Sequence, residues 1–315
     1  MVDKPVVGVD VAKDWLDVCV AGVAERIDNT AAAVLSWLDR VQPALVACEP
    51  TGGYERVLLK ALNQRAIAFV RVHPNQLVAF RKSQGLRAKT DRIDAQLILA
   101  FLCHRLAQRG LRLAIPGDPA LMALAARRRQ LVDSLHAERC RLAIASLAIA
   151  SLDALRHSHH AVIQALRDSL EAIEAELATT IAGNPHTAKL AGLLQTVFGI
   201  GPVVAVALIA DLPELGRLSA KQIAALVGLA PHTNRSGKAQ YREPTGHGRP
   251  GVRRALFNAA RAAIRHPSPF RDFYDRLVTQ NHRPGKVALT AVMRKILVCA
   301  NAVARDQQPW KLAKP

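Results

Sequence analysis

Val6-Val7-Gly8-Val9-Asp10-Val11, the turn Lys13-Asp14, and Trp15-Leu16-Asp17-Val18-Cys19-Val20 open the chain. Both apolar runs are strand-like, and an acid sits inside the first. A short third strand is expected near Glu25-Arg26-Ile27, and a helix from about Ala31 to Val41. The next apolar run, Leu45-Val46-Ala47-Cys48, ends on Glu49 and gives way to the loop Pro50-Thr51-Gly52-Gly53. A helix to about Gln64 and a strand over Ala68-Phe69-Val70-Arg71-Val72 follow.

Three early strands followed by helix–strand units are the order of a ribonuclease-H-like α/β sheet. In that topology the first and fourth strands are neighbours, which brings Asp10 close to Glu49. An ionised acid is costly to bury unless a cation or donors compensate it. A further pair, Asp91 and Asp94, has the three-residue spacing that puts both on one helix face. Each acid has an ordinary reading when taken alone. Asp10 would face solvent or pair with Lys13, and Glu49 would be a strand-end acid in water. Asp91 would serve a helix start, where caps and first-turn acids are favoured. Taken together, the four suggest a site for Mg²⁺, which takes oxygen ligands and bridges protein to phosphate. Asp14, Asp17 and Glu55 read as surface acids or as support behind the site.

The rest of the chain argues for a polyanionic partner. Its 315 residues carry 43 Lys plus Arg against 25 Asp plus Glu, a formal net charge of +18. Aromatic residues are only 4%, so base stacking is not the main binding mode. There is no run of about 18 uncharged apolar residues, so no membrane span is expected. The N-terminus lacks a signal-peptide layout. The five cysteines are scattered with no Cys-x-x-Cys pair, which indicates neither zinc site nor disulfide framework and fits a reducing cytoplasm. Cys140 and Cys299 read as small apolar packers.

Three parts are expected: 1–112, the α/β unit; 113–185, two long helices; and 186–315, a basic, mainly helical unit. Ile163, Leu166, Leu170, Ile173, Leu177 and Ile181 recur at helical spacing, which suits a hairpin packed on itself or a coiled coil for oligomerisation. His157, His159 and His160 are placed between the two helices, as a solvated turn in preference to metal ligands. In the last part, Phe198-Gly199-Ile200-Gly201-Pro202 before an apolar helix resembles the hairpin of helix-hairpin-helix DNA-binding modules, whose amides can meet phosphate. Short Gly-x-Gly turns are also commonly structural. Asn234-Arg235-Ser236-Gly237-Lys238 and the stretch Tyr241 to Arg254 read as a solvated, phosphate-contacting loop. A serine hydroxyl needs activation to act as a nucleophile, and Ser236 has Arg235 and Lys238 beside it.

With these pieces in order, the chain resembles the insertion-sequence transposases of the "one-ten" group, which includes the Piv-type invertases. The matching pieces are Gly8-Val9-Asp10-Val11-Ala12-Lys13, Glu49-Pro50-Thr51-Gly52, Lys89-Thr90-Asp91-x-x-Asp94-Ala95, and Gly228-Leu229-Ala230-Pro231 followed by Ser236-Gly237. The resemblance implies a RuvC-like N-terminal domain whose metal-binding tetrad is Asp10, Glu49, Asp91 and Asp94, and a C-terminal transposase domain with Ser236 as nucleophile. It implies Mg²⁺, a 5′-phosphoserine intermediate, donor and target double-stranded DNA, a structured noncoding guide RNA, and action as a homo-oligomer in a prokaryotic cytoplasm. One segment departs from the family pattern: Gly246-His247 replaces a basic pair, and Arg249 replaces an Asn.

Nucleic-acid contacts are assigned to Arg81, Lys82, Arg87, Lys89 and Arg92, and to Arg127, Arg128 and Arg129. Gly199 and Gly201 are assigned in the glycine turn, and Arg235, Lys238, Arg242, Arg249, Arg253 and Arg254 around the serine. Rival readings are a RuvC-like junction endonuclease using water, an actin- or sugar-kinase-like ATPase, and a non-catalytic nucleic-acid scaffold. No later Gly-rich nucleotide loop accompanies the ATPase reading.

Overall fold

The structure is a computed structural model. It describes residues 4–85, 91–108, 115, 117–148, 153–236, 239–243, 245–246 and 248–311; of residues 91–93, 146–148 and 232–243 only the backbone is described. The chain divides into two compact units, Met1–Pro116 and Gly117–Pro315.

In the first unit, β1 (Val6–Val11), β2 (Trp15–Val20) and β3 (Val23–Asp28) form an antiparallel meander. The β2–β3 turn is Ala21-Gly22, with φ of 49° and 85°. Two positive φ values in a two-residue loop match the strand twist, and glycine accepts the second without strain. Helix α1 (Ala31–Val41) starts at Thr30, whose hydroxyl accepts from the Ala33 amide. Strand β4 (Leu45–Cys48) is buried throughout and pairs parallel with β1, and α2 (Arg56–Gln64) leads to β5 (Ala68–Arg71), parallel to β4. Helices α3 (Pro74–Ser83) and α4 (Asp91–Ala107) complete the unit. The sheet order is β3-β2-β1-β4-β5. The first and fourth strands are therefore neighbours, as the ribonuclease-H-like order requires.

Side chains alternate across this sheet. Val7, Val9, Leu16, Val18, Val46 and Cys48 pack with Val34, Trp37, Leu38, Leu58 and Leu62 of α1 and α2. On the other face, Leu45, Ala47 and Val70 pack with Leu77, Ile98 and Leu102 of α3 and α4. Cys48 is closed off in the first of these cores, and burial pushes its thiol up to about 12, so it remains a neutral packing group.

The second unit begins with α5 (Pro119–Ala148) and α6 (Asp153–Ala182), which run back along each other. The histidine cluster lies within the opening turns of α6 rather than in a turn between helices. His159 bonds the carboxylate of Glu138 across the hairpin, and Arg141 Nη1 donates to the same carboxylate at 2.7 Å. Asp153 places an acid in the first turn of this helix, where it is favoured. Cys140 is exposed in α5, 3.8 Å from His136, rather than packed in a core.

The His159 contact, then Arg141, holds the Glu138 carboxyl below the ordinary glutamate range. A depressed folded-state value contributes stability above the unfolded value and loses it as pH falls through the folded one. Acidification below about pH 4.5 is therefore expected to loosen the hairpin, and Glu138→Gln to flatten that limb. Helical ellipticity followed during acid titration of both proteins checks this.

Helix α7 (Pro185–Leu194) is capped by Asn184, which accepts from the amides of His186 and Thr187. Helices α8 (Pro202–Asp211) and α9 (Ala220–Val227) follow, the latter with a reciprocal Ser219/Gln222 cap. A two-stranded hairpin, β6 (His232–Ser236) with β7 (Ala239–Glu243), comes next, then α10 (Pro250–Ala263), α11 (Pro269–Asp275), a π-helical turn (Arg276–Gln280) and α12 (Gly285–Asp306). Leu208, Ile223, Leu256, Phe270, Ile296 and Leu297 are central to the core of this unit. Helix α12 is long and apolar enough by composition to cross a membrane, but Val292, Ile296, Leu297 and Ala300 lie inside that core. Asn301, almost fully buried, accepts from the Gly216 amide and donates to the Leu218 carbonyl, each at 2.8 Å.

Candidate active site

Gly8 decides how the acids are placed. A Cβ there would lie 2.4 Å from the Ala95 carbonyl oxygen and 2.5 Å from the Leu99 amide nitrogen, so α4 rests directly on the β1 backbone. Val6, Gly8 and Asp10 occupy the α4 side of β1, since Val7, Val9 and Val11 belong to the opposite core. On β4 the same side holds Leu45 and Ala47, and Glu49 follows one residue past the end of the strand. Val9 pairs with Cys48 in the parallel ladder, so Asp10 and Glu49 are the next residues along two adjacent strands. Both are partly exposed.

Helix α4 contributes the other acids. Its backbone starts at Asp91, whose side chain lies outside the described residues. Asp94 is three residues on, one before the Ala95 that meets Gly8, and Arg81 Nη1 stands 3.9 Å from its Oδ1. All the donors are carboxylate oxygens, the set a hard divalent cation takes. Among the described residues, no three His, Cys, Asp or Glu side chains by themselves form a metal-holding group.

Two further acids are far more buried than the sequence indicated. Asp17 is 4% exposed and directly opposite Asp10 in the β1–β2 register. Arg26 of β3 donates to both its oxygens, at 2.9 and 2.7 Å, and lies over the Trp15 ring. A signal was present: residues equidistant from the Ala21-Gly22 turn must pair, and Asp17 and Arg26 are such a pair. Glu55 is 5% exposed. It accepts from the amides of Thr51 and Gly53 at 3.2 and 3.0 Å and from Arg71 Nη2 at 2.9 Å. Its spacing from Gly53 was visible, but Arg71 comes from another strand.

In the second unit, Ser236 is the last residue of β6 and is paired with Ala239. Thr233 stands opposite Arg242, and Arg235 opposite Gln240. The stretch read as a solvated loop is thus a strand pair; Gly237 and Lys238 lie outside the described residues. The feet of the hairpin are fixed. Gly228 ends α9 with φ of 81°, and a Cβ on Gly248 would fall 2.7 Å from the Gly228 nitrogen. Next to it, Arg249 Nη1 donates to the Asp211 carbonyl and to Glu214 Oε2, both at 2.6 Å, and its Nη2 reaches Glu214 Oε1. The Asp211 carboxyl is raised above its ordinary range by burial, against the lowering effect of Arg129 beside it.

The remaining assigned cations fall into distinct settings. Arg128 pairs with Glu174, Arg129 with Asp211, and Arg254 with Asp133, while Arg127 is exposed. Arg81 and Lys82 lie in the last turn of α3. Arg87 and Lys89 and the side chains of Arg92, Arg235 and Arg242 lie outside the described residues, as does Lys238. In the glycine turn, a Cβ on Gly199 (φ 87°) would lie 2.3 Å from the Ala259 carbonyl oxygen, so packing on α10 requires that glycine. At Gly201 a Cβ would meet nothing within 4 Å.

Carboxylates near the ends of adjacent strands, in a strongly basic chain, suit chemistry on nucleic-acid phosphodiesters. Residues 7–149 match a family model described as transposase, the DEDD type of IS110 elements, and residues 191–275 match one described as transposase IS116/IS110/IS902 family. The chain belongs to the IS110 family of transposases, enzymes that cleave and transfer DNA strands. It is 27% identical to the pilin gene-inverting proteins of Moraxella bovis and Moraxella lacunata, over 98% of this chain and 98% of each of theirs. Thermus thermophilus RuvC, with and without a Holliday junction substrate, aligns to 35% of this chain and 99% of its own. The identities are 15% with the substrate and 16% without, and the TM-scores 0.29 and 0.27.

Proposed function

We propose that this transposase cuts and rejoins donor and target DNA through a covalent serine ester, with Asp10, Glu49, Asp91 and Asp94 holding Mg²⁺. The observation that supports the reading is that β1 and β4 are parallel neighbours whose last pair, Val9 with Cys48, directly precedes Asp10 and Glu49, with α4, the helix of the other two acids, packed on Gly8 of β1. Mg²⁺, when bound, would neutralise charge on the scissile phosphate and on the leaving oxygen. Ser236 Oγ attacks phosphorus; the Oγ–P bond forms, the P–O3′ bond breaks, and the 3′-oxygen leaves as a hydroxyl after taking a proton. The serine proton passes to a general base, to which no residue is assigned. Because one ester replaces another, the bond can be resealed on a new 3′ end. Gene inversion, the reaction in the Moraxella proteins' name, needs such cutting and rejoining.

In this reading residues 1–112 are the nuclease domain, 113–185 an oligomerising helical hairpin, and 186–315 the serine-bearing domain. Exposed cations such as Arg127, with those of segments 81–92 and 235–242, hold backbone phosphates, so binding weakens steeply with salt. Sequence choice falls to a structured noncoding RNA read by shape and base pairing, with the protein acting as a homo-oligomer in the cytoplasm. The family resemblance supports the RNA, the serine and the oligomer; the scarcity of aromatics agrees with shape recognition.

The test combines purified protein, donor and target DNA, and RNA transcribed from the sequence flanking its gene. A protein–DNA ester on denaturing gels that requires both Mg²⁺ and the RNA is the expected result. Cleavage leaving free 5′-phosphate and no ester would instead establish a water-using junction endonuclease.

A further inference from the structure

The two acids on the sheet are held differently. Asp10 lies within β1, paired with Asp17 of β2 and one residue beyond the last β1–β4 pair, Val9 with Cys48. Glu49 lies one residue past the end of β4, where the ladder stops and the loop Pro50–Gly53 begins. That loop turns through Gly52 and Gly53, at φ of 60° and 107°, and carries backbone bonds from the Tyr54 amide to Thr51 and from the Arg56 amide to Gly53. What shapes it is Glu55. This residue sits at the start of α2, where a side chain ordinarily caps the helix, yet it makes no cap bond to α2. Its carboxylate turns back into the loop instead. One oxygen accepts from both the Thr51 and the Gly53 amides, and the other accepts from Arg71. Thr51 in turn donates its hydroxyl to the Glu49 carbonyl at 3.2 Å. Arg71 ends β5 and is in register with Cys48, the residue before Glu49. The chain of bonds therefore starts and finishes next to Glu49.

We propose that Glu55, clasped by Arg71, is a positioning residue that holds the loop so that Glu49 presents its carboxylate to the divalent cation. The proposal rests on the reading of Glu49 as a metal ligand. Glu55 does not itself touch the ion; both its oxygens are occupied by donors from the loop and from Arg71. Supporting groups of this kind are typically worth 10–100-fold in metal affinity. A buried carboxylate with three donors is also costly to leave half-paired, which makes the clasp rigid.

The experiment measures Mg²⁺-induced thermal stabilisation of the full chain, with no nucleic acid, alongside amide hydrogen exchange at Thr51 and Gly53. Glu55→Gln should raise the half-saturating Mg²⁺ concentration about 10–100-fold and speed exchange at both amides at least about tenfold. Arg71→Met should act in the same direction, and Arg71→Lys, which keeps the charge, should recover part of the loss. Arg71 is 41% exposed, so its variants decide the matter should Glu55→Gln fail to fold. Glu49→Ala separates the two levels. A normal Mg²⁺ response in Glu55→Gln or Arg71→Met, with Glu49→Ala unresponsive, overturns the clasp alone. A normal response in Glu49→Ala removes Glu49 as a ligand and overturns both.

Discussion

Gly8→Ala should destabilise the N-terminal unit by about 3 kcal/mol or more and abolish strand cleavage. The added methyl would meet the Ala95 carbonyl oxygen at 2.4 Å and the Leu99 nitrogen at 2.5 Å, and both are helix backbone. A flexible side chain could swing aside; a helix moves as a body. Shifting α4 off β1 displaces Asp94 and the start of the helix from Asp10. Gly22→Ala is the matched control. It carries a positive φ of 85° but has nothing within 4 Å of its Cβ, so it should cost only about 1 kcal/mol and leave cleavage intact. Urea melts of the two variants, with cleavage assayed in parallel, check this. Equal stabilities would mean that α4 does not press on Gly8.

Ser236→Ala should eliminate the protein–DNA ester and lower strand transfer by about three orders of magnitude or more, as loss of a nucleophile does elsewhere. Binding of DNA should persist at the same salt dependence, because a hydroxyl contributes nothing to counterion release. Stability should change by less than about 0.5 kcal/mol, since residue 236 is the last of its strand and alanine keeps the backbone pairing. Ester recovery on denaturing gels and anisotropy titrations with labelled DNA separate chemistry from binding. An undiminished ester in the variant removes Ser236 from the mechanism.

Much of the N-terminal unit was legible because its strands are apolar runs bounded by turn residues. Trp15–Val20 and Ala31–Val41 could be delimited to the residue, and the neighbouring of β1 and β4 followed from element order. The β6–β7 pair was not legible. Asn234-Arg235-Ser236 and Ala239-Gln240-Tyr241 have no apolar alternation, so nothing in their pattern marks a strand. Burial of Asp17 and Glu55 was also hidden. A single acid in a strand does not announce the guanidinium that will meet it from another strand, although the turn geometry contained that information for Arg26. Arg249 shows the converse: its sequence context is basic and glycine-rich, yet its guanidinium ties the start of α10 to Glu214. Charge excess identifies a polyanion partner, but not which cations are reserved for holding the fold together.

The two glycines at the base of the serine ribbon carry a mechanical consequence. Gly228 and Gly248 bring the backbone into near contact there, four residues before β6 begins and five after β7 ends. Because the Gly248 Cα faces the C-terminal turn of α9 with no room for a side chain, any larger residue there would push the chain that carries β6 and β7 away from the helical core, and with it the strand that ends on Ser236.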